Sequence, residues 1–165
     1  EYVMRDLVKK AGREAEFEIA SAATSSEELG NDVYPPARRE LLAHGVECPR
    51  REARRLTRRD FDEYDLLIGM DEANLRNMQR IGGDGCEGKI SLLMDYTDRP
   101  GSVADPWYTR DFGATWRDVS LGCRGLLERL EGRKKSRRHA GCYRDFFLFT
   151  NSFAGAHAFF RFTAR

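Results

Sequence analysis

Three groups of side chains in this sequence are chemically suggestive: four cysteines (Cys48, Cys86, Cys123, Cys142), an acidic and aromatic run Asp105-Pro-Trp-Tyr108, and the hydroxyl-rich stretch Ser21-Ala-Ala-Thr-Ser-Ser26. The cysteines lie far apart with no Cys-x2-Cys pair, which argues against a zinc site and a dense disulfide scaffold and makes reduced thiols the default. On residue type alone, Asp105 and Pro106 are turn formers. Trp107 and Tyr108 could cap a core, and the Ser21 hydroxyl could satisfy local backbone groups. Arg50, Arg51, Arg54, Arg55, Arg58 and Arg59 form a basic block that the acidic run Asp60-Phe-Asp-Glu-Tyr-Asp65 follows at once. Adjacent blocks of opposite sign usually make a solvated, mutually paired surface, although a docking patch for nucleic acid or a phosphoprotein has the same composition.

These groups need a scaffold, and 165 residues suit one core of ordinary size. Hydrophobic residues make up 41% and charged residues 33%, too apolar for a disordered chain. Twenty-eight Lys and Arg against 27 Asp and Glu leave +1, so no global field selects nucleic acid or an anionic membrane. Apolar runs such as Phe146–Phe149 are far shorter than the ~20 residues that cross a bilayer, and no N-terminal signal is seen. The expected location is the cytoplasm, with no membrane or nucleic-acid partner.

The hydrophobic pattern alternates helix and strand. Glu1 to Gly12 reads as the back half of an amphipathic helix that starts upstream, with Val3, Met4, Leu7 and Val8 on one stripe. Glu16 to Ala20 reads as a short strand, with Ser21 to Ser26 as the loop after it. Pro35-Pro36 introduces a helix over Ala37 to His44. Leu66 to Met70 and Ile90 to Met94 are continuous apolar runs of strand length, as expected of strands buried on both faces. Asp71 is placed to cap a helix through Gln79, and Thr115 to Leu130 is a last amphipathic helix. Together they predict an α/β protein, a doubly wound three-layer α/β/α fold with a central parallel sheet. Ligands in such folds sit beyond the carboxyl ends of the strands, so the loops Ser21 to Gly30 and Asp95 to Tyr108 are the places to search.

Four segments, in order, resemble the low-molecular-weight protein tyrosine phosphatases: Met4-Arg-Asp-Leu-Val-Lys-Lys-Ala-Gly12, Ser21-Ala-Ala-Thr-Ser25, Phe61-Asp-Glu-Tyr-Asp-Leu-Leu-Ile-Gly-Met-Asp-Glu-Ala-Asn-Leu75 and Asp105-Pro-Trp-Tyr108. The resemblance implies hydrolysis of phosphotyrosine through a cysteinyl-phosphate intermediate, with no metal or organic cofactor. It implies that Asp105 is the general acid. Trp107 and Tyr108 would wall the slot for the substrate ring, and Ser21 would brace the phosphate loop. In the family a Cys-x5-Arg-Ser loop follows the first strand, which lies inside the sheet. The sequence starts after that strand, so the nucleophile and the phosphate-binding arginine are expected to be missing from this chain, and the chain to be inactive. Arg51 stands where some relatives have histidine, and Tyr34-Pro-Pro36 replaces an Asp-Pro-Arg.

Two internal Cys-x5-Arg spacings, Cys48 to Arg54 and Cys123 to Arg129, lack the run of small residues that lets successive N–H groups converge on phosphate, Gly125 being the one glycine between them, and neither arginine precedes Ser or Thr. Cys123 also falls within a helical pattern. The expected partner is a phosphotyrosine protein or a small aryl phosphate. The alternatives are a pseudo-phosphatase or phosphoprotein-binding module, and the arsenate reductase branch of the same fold. Residues 1–130 are expected to form the phosphatase-like domain, and 131–165 a basic linker and aromatic-rich tail. Within the tail, Asp145 to Thr150 is strand-like: it either fills the vacancy left by the first strand or belongs to a poorly packed extension.

Overall fold

The computed structural model describes residues 1–27, 29–106, 110–136 and 145–151. Its elements run α1 (Tyr2–Lys10), β1 (Phe17–Ala23), α2 (Pro35–Ala43), α3 (Arg58–Glu63), β2 (Leu66–Gly69), α4 (Glu72–Gly82), β3 (Ile90–Leu92), α5 (Phe112–Ser136) and β4 (Asp145–Asn151). The four strands form one parallel sheet in the order β1-β4-β2-β3.

Alternation of side chains along each strand divides the core in two. Leu67 and Ile68 are both fully buried, on opposite faces. Ile68 joins Phe17, Ile19 and Phe149 under α1 and α5, where Val3, Met4, Val8, Cys123, Leu126 and Leu130 pack. Leu67 joins Ala22 under α3 and α4, against Phe61, Met78 and Cys86. Helices therefore cover both faces of the parallel sheet, giving the three-layer doubly wound α/β/α arrangement. The layer contact is close enough to require glycine: a Cβ at Gly125 of α5 would lie 1.9 Å from the Tyr96 carbonyl oxygen.

Of the two placements open for Asp145 to Thr150, the structure has the one inside the sheet. β4 pairs with β1 from Phe17↔Asp145 to Ala23↔Asn151, and with β2 from Leu66↔Phe147 to Gly69↔Thr150. The facing edges of β1 and β2 thus gain ladder hydrogen bonds, which matter because each buried backbone group left unpaired costs about 1–3 kcal/mol.

Several boundaries differ from the sequence reading for local reasons. β1 runs through Ser21 to Ala23 because its edge continues into a bridge with Arg55. β3 ends at Leu92, where the Leu92 N–H turns to Asp95 Oδ2 at 2.9 Å and a 3-10 turn follows over Leu93–Tyr96. Asp71 caps α4 as expected, accepting from the Asn74 N–H at 2.6 Å, but the helix continues to Gly82. Helix α3 was hidden in the charged blocks. Its start is fixed by Asp60, which accepts from Thr57 N–H at 2.7 Å and from the Thr57 hydroxyl at 2.8 Å.

A large cavity at the carboxyl end of the first strand

The end of β1, the start of α2, the loop through Arg51 and the first turns of α5 surround a cavity of about 720 Å³. Ser21, Ala22 and Ala23 contribute from β1, and Arg51, Ala53 and Arg54 from the loop. Tyr34, Phe112 and Trp116 bring aromatic surface, and Pro106 closes one side. This is where a doubly wound sheet is expected to hold a ligand. The volume lies in the range typical of small-molecule sites.

The aromatic wall is held by ring contacts. Tyr34 and Phe112 meet at 6.0 Å between centroids, tilted by 37°. Trp116 stacks on His44 at 4.0 Å and 3°, and His44 Nε2 lies 3.3 Å from Glu40 Oε1.

Asp105 sits half-buried immediately before Pro106. Its loop is tied down on both sides. The Val103 N–H donates to the Met70 carbonyl at 2.8 Å. The Ala104 N–H donates to Asp118 Oδ2 at 3.0 Å, and the Ala104 carbonyl accepts from the Thr115 hydroxyl at 2.8 Å. The end of β2 and the start of α5 thus jointly set where Asp105 and Pro106 lie. Trp107 and Tyr108 lie outside the described residues.

Ser21 belongs to a charged cluster at the cavity floor that its residue type does not announce. Its hydroxyl donates to Glu1 Oε2 and accepts from Arg51 Nη1. Arg51 Nη1 also reaches Glu1 Oε2 at 2.5 Å, and Arg5 Nε donates to Glu1 Oε1 at 3.0 Å. Burial pushes the Glu1 carboxyl up, but the Ser21 hydrogen bond and the charges of the Glu1 ammonium, Arg51 and Arg5 outweigh it and hold the group below its ordinary value.

The rest of the arginine block is mostly engaged at short range. Arg54 pairs with Asp60 at 2.7 Å, Arg59 with Glu63 at 2.6 Å, and Arg58 donates to the Gly82 carbonyl at 2.6 Å.

Cys48, Cys86 and Cys123 are free and buried. Burial raises all three thiols, and pushes Cys123, wholly enclosed in α5, up to about 11. A nucleophilic thiolate needs the opposite environment, exposed and electropositive. Among the described residues no group of His, Cys, Asp and Glu could hold a metal ion, and no helix is long and apolar enough to cross a membrane.

A sequence profile described as low molecular weight phosphotyrosine protein phosphatase matches residues 1–136. The chain belongs to this family. It is 33% identical over 135 residues to the low molecular weight phosphotyrosine protein phosphatase of Sus scrofa, covering 79% of this chain and 85% of that one. It is 28% identical over 137 residues to the low molecular weight protein-tyrosine-phosphatase YfkJ of Bacillus subtilis, covering 82% and 88%. The fold agrees with the YfkJ crystal structure at a TM-score of 0.77 with 28% identity, over 81% of this chain and 86% of that one. It also agrees with SP-PTP, the low molecular weight protein tyrosine phosphatase from Streptococcus pyogenes, at 0.72 with 31% identity, over 85% and 88%. By family this is a protein-tyrosine-phosphatase fold of the hydrolase class.

Proposed function

We propose that the protein takes phosphotyrosine, on a protein or as a small aryl phosphate, into the large cavity, with Asp105 as the acid facing the leaving oxygen. The observation that carries this reading is the position of the Asp105-Pro106 loop at the side of an aromatic-walled cavity beyond the carboxyl end of β1. A carboxyl there would protonate the departing phenolate and then activate water. Trp107 and Tyr108 are proposed to complete the ring wall, and Ser21 to steady the floor through Glu1 and Arg51.

The same reading divides the chemistry. These 165 residues supply acid, ring slot and floor, while the thiolate and its phosphate-holding loop are not among them, so this chain binds without turnover. Residues 1–130 would form the phosphatase-like unit, with 131–165 serving it as linker and tail. The free thiols among the described residues suit a reducing compartment, in keeping with a cytoplasmic location.

The test is hydrolysis of an aryl phosphate at mildly acidic pH by the full chain and by its four single Cys→Ser variants, beside phenyl phosphate binding followed by NMR. Saturable binding with no turnover is expected. An Asp105→Asn variant should bind as tightly or tighter, because removing a carboxylate next to a dianion relieves repulsion. Turnover abolished in one Cys variant would overturn the division, and absence of binding would overturn the site.

A further inference from the structure

We infer that Arg51 is the oxyanion anchor of the large cavity, a residue poised to hold the phosphoryl group of an aryl phosphate side-on. The inference rests on the reading that the cavity takes an aryl phosphate, and adds which residue holds the charge.

Three arginines line the cavity, and their hydrogen bonds separate them. Arg38 uses one terminal nitrogen on the Cys48 carbonyl and the other on Asp32 Oδ1, at 2.7 Å for the latter. Arg54 commits both terminal nitrogens to Asp60, at 3.1 and 2.7 Å. Arg51 commits only Nη1, to Glu1 and Ser21. Among the described residues its Nε and Nη2 have no hydrogen-bond partner, and these two nitrogens form the edge of the guanidinium that meets an oxyanion with two parallel N–H bonds.

That edge is also fixed in place. Glu1 and Ser21 grip the opposite side of the guanidinium, the Arg51 backbone N–H donates to Asp32 Oδ1 at 3.1 Å, and the Tyr2 ring lies 5.8 Å from the guanidinium carbon. Holding the donor fork before the ligand arrives reduces the ordering cost of binding. The Glu1 carboxylate stands close by and would repel an anion, but it is shared between Arg51 and Arg5, so the three groups together carry one net positive charge. Two guanidiniums on one carboxylate therefore leave a cationic floor, while Tyr34, Phe112, Trp116 and Pro106 supply the apolar side. A ring carrying a charged oxyanion matches both parts, and a neutral ring matches only one.

The experiment is an NMR titration of the full chain with phenyl phosphate and, separately, with phenol. Wild type should saturate with phenyl phosphate and bind phenol at least tenfold more weakly. Arg51→Gln should weaken phenyl phosphate at least tenfold, as loss of a bidentate charge-assisted pair predicts. Arg51→Lys retains the charge and the Glu1 pair but lacks the fork, and should recover only part of the affinity. Arg50→Gln, next to it in sequence and almost fully exposed, should stay within twofold of wild type. Binding by Arg51→Gln within twofold of wild type, or an equal loss in Arg50→Gln, would overturn the assignment of Arg51 while leaving the aryl phosphate site standing. Failure of wild type to bind phenyl phosphate would remove the site itself, and the anchor with it.

Discussion

Arg51 and Arg54 leave the same loop three residues apart and each meets a shielded carboxylate, yet the two pairs do different work. Asp60, 5% exposed at its side chain, receives both terminal nitrogens of Arg54 together with the backbone and hydroxyl of Thr57. Both terminal nitrogens of Arg54 are spent on it, and the carboxylate fixes the start of α3. Glu1, 12% exposed, receives Arg5, Ser21 and one nitrogen of Arg51, a residue that lines the cavity. Charge alone does not separate structure from recognition in this block; the number of donors already spent does.

The sharpest way to break the comparison is Asp60→Ala. Asp60 is buried but Arg54 is 43% exposed, so losing the carboxylate costs about 1.5–3 kcal/mol, the worth of its charge-assisted hydrogen bonds, and chemical denaturation should show that loss. The pH dependence has a definite sign. Burial pushes the Asp60 carboxyl up, but the Arg54 and Thr57 hydrogen bonds hold it below its ordinary value. Its contribution is therefore complete above the usual carboxylate range and fades as pH falls through the depressed folded value. The stability gap between wild type and variant should narrow below about pH 4. A gap that persists there would mean that packing, not the ion pair, accounts for the loss.

Next in size is Thr57→Ala, which removes one donor to Asp60 and a helix-start residue. Loss of such a cap costs about 1 kcal/mol, to be read from the shift in denaturation midpoint. Because Arg54 still satisfies the carboxylate, the Asp60-linked loss of stability on acidification should persist in Thr57→Ala and be absent in Asp60→Ala.

What the sequence disclosed follows the same division between local and assembled features. β2 and β3 are legible because Leu67, Ile68 and Leu92 are buried whichever way they face, so hydrophobicity marks them without periodicity. Helix α3 is not, since Phe61 is its sole buried apolar side chain, and the available signal was the Thr57-x-x-Asp60 spacing rather than an apolar stripe. The strand character of Asp145 to Thr150 was readable, but its insertion between β1 and β2 depends on pairing with residues far away in the chain, from Gly69↔Thr150 on one side to Phe17↔Asp145 on the other, which composition does not encode. At the site, Ser21 and Asp105 could be named through motif resemblance. Tyr34 at the start of α2 and Phe112 and Trp116 on α5 become one wall only through the packing of α2 on α5, and the Glu1, Ser21 and Arg51 cluster joins three segments.

The smallest expected effect is the one that separates the two clusters most clearly. Glu1→Gln keeps an acceptor for Ser21 and Arg51 but turns charge-assisted hydrogen bonds into neutral ones, a loss of about 1 kcal/mol in stability at neutral pH. It also removes the carboxylate that offsets Arg51 and Arg5, so the cavity floor gains positive charge. Stability and affinity should then move in opposite directions: a slightly lower denaturation midpoint, and phenyl phosphate bound about two- to fivefold more tightly at low salt, with the gain shrinking as salt is added. If Glu1→Gln instead weakened both, Glu1 would be serving Arg51 purely as a brace, and the Arg51 cluster would belong to the same structural class as Arg54 and Asp60.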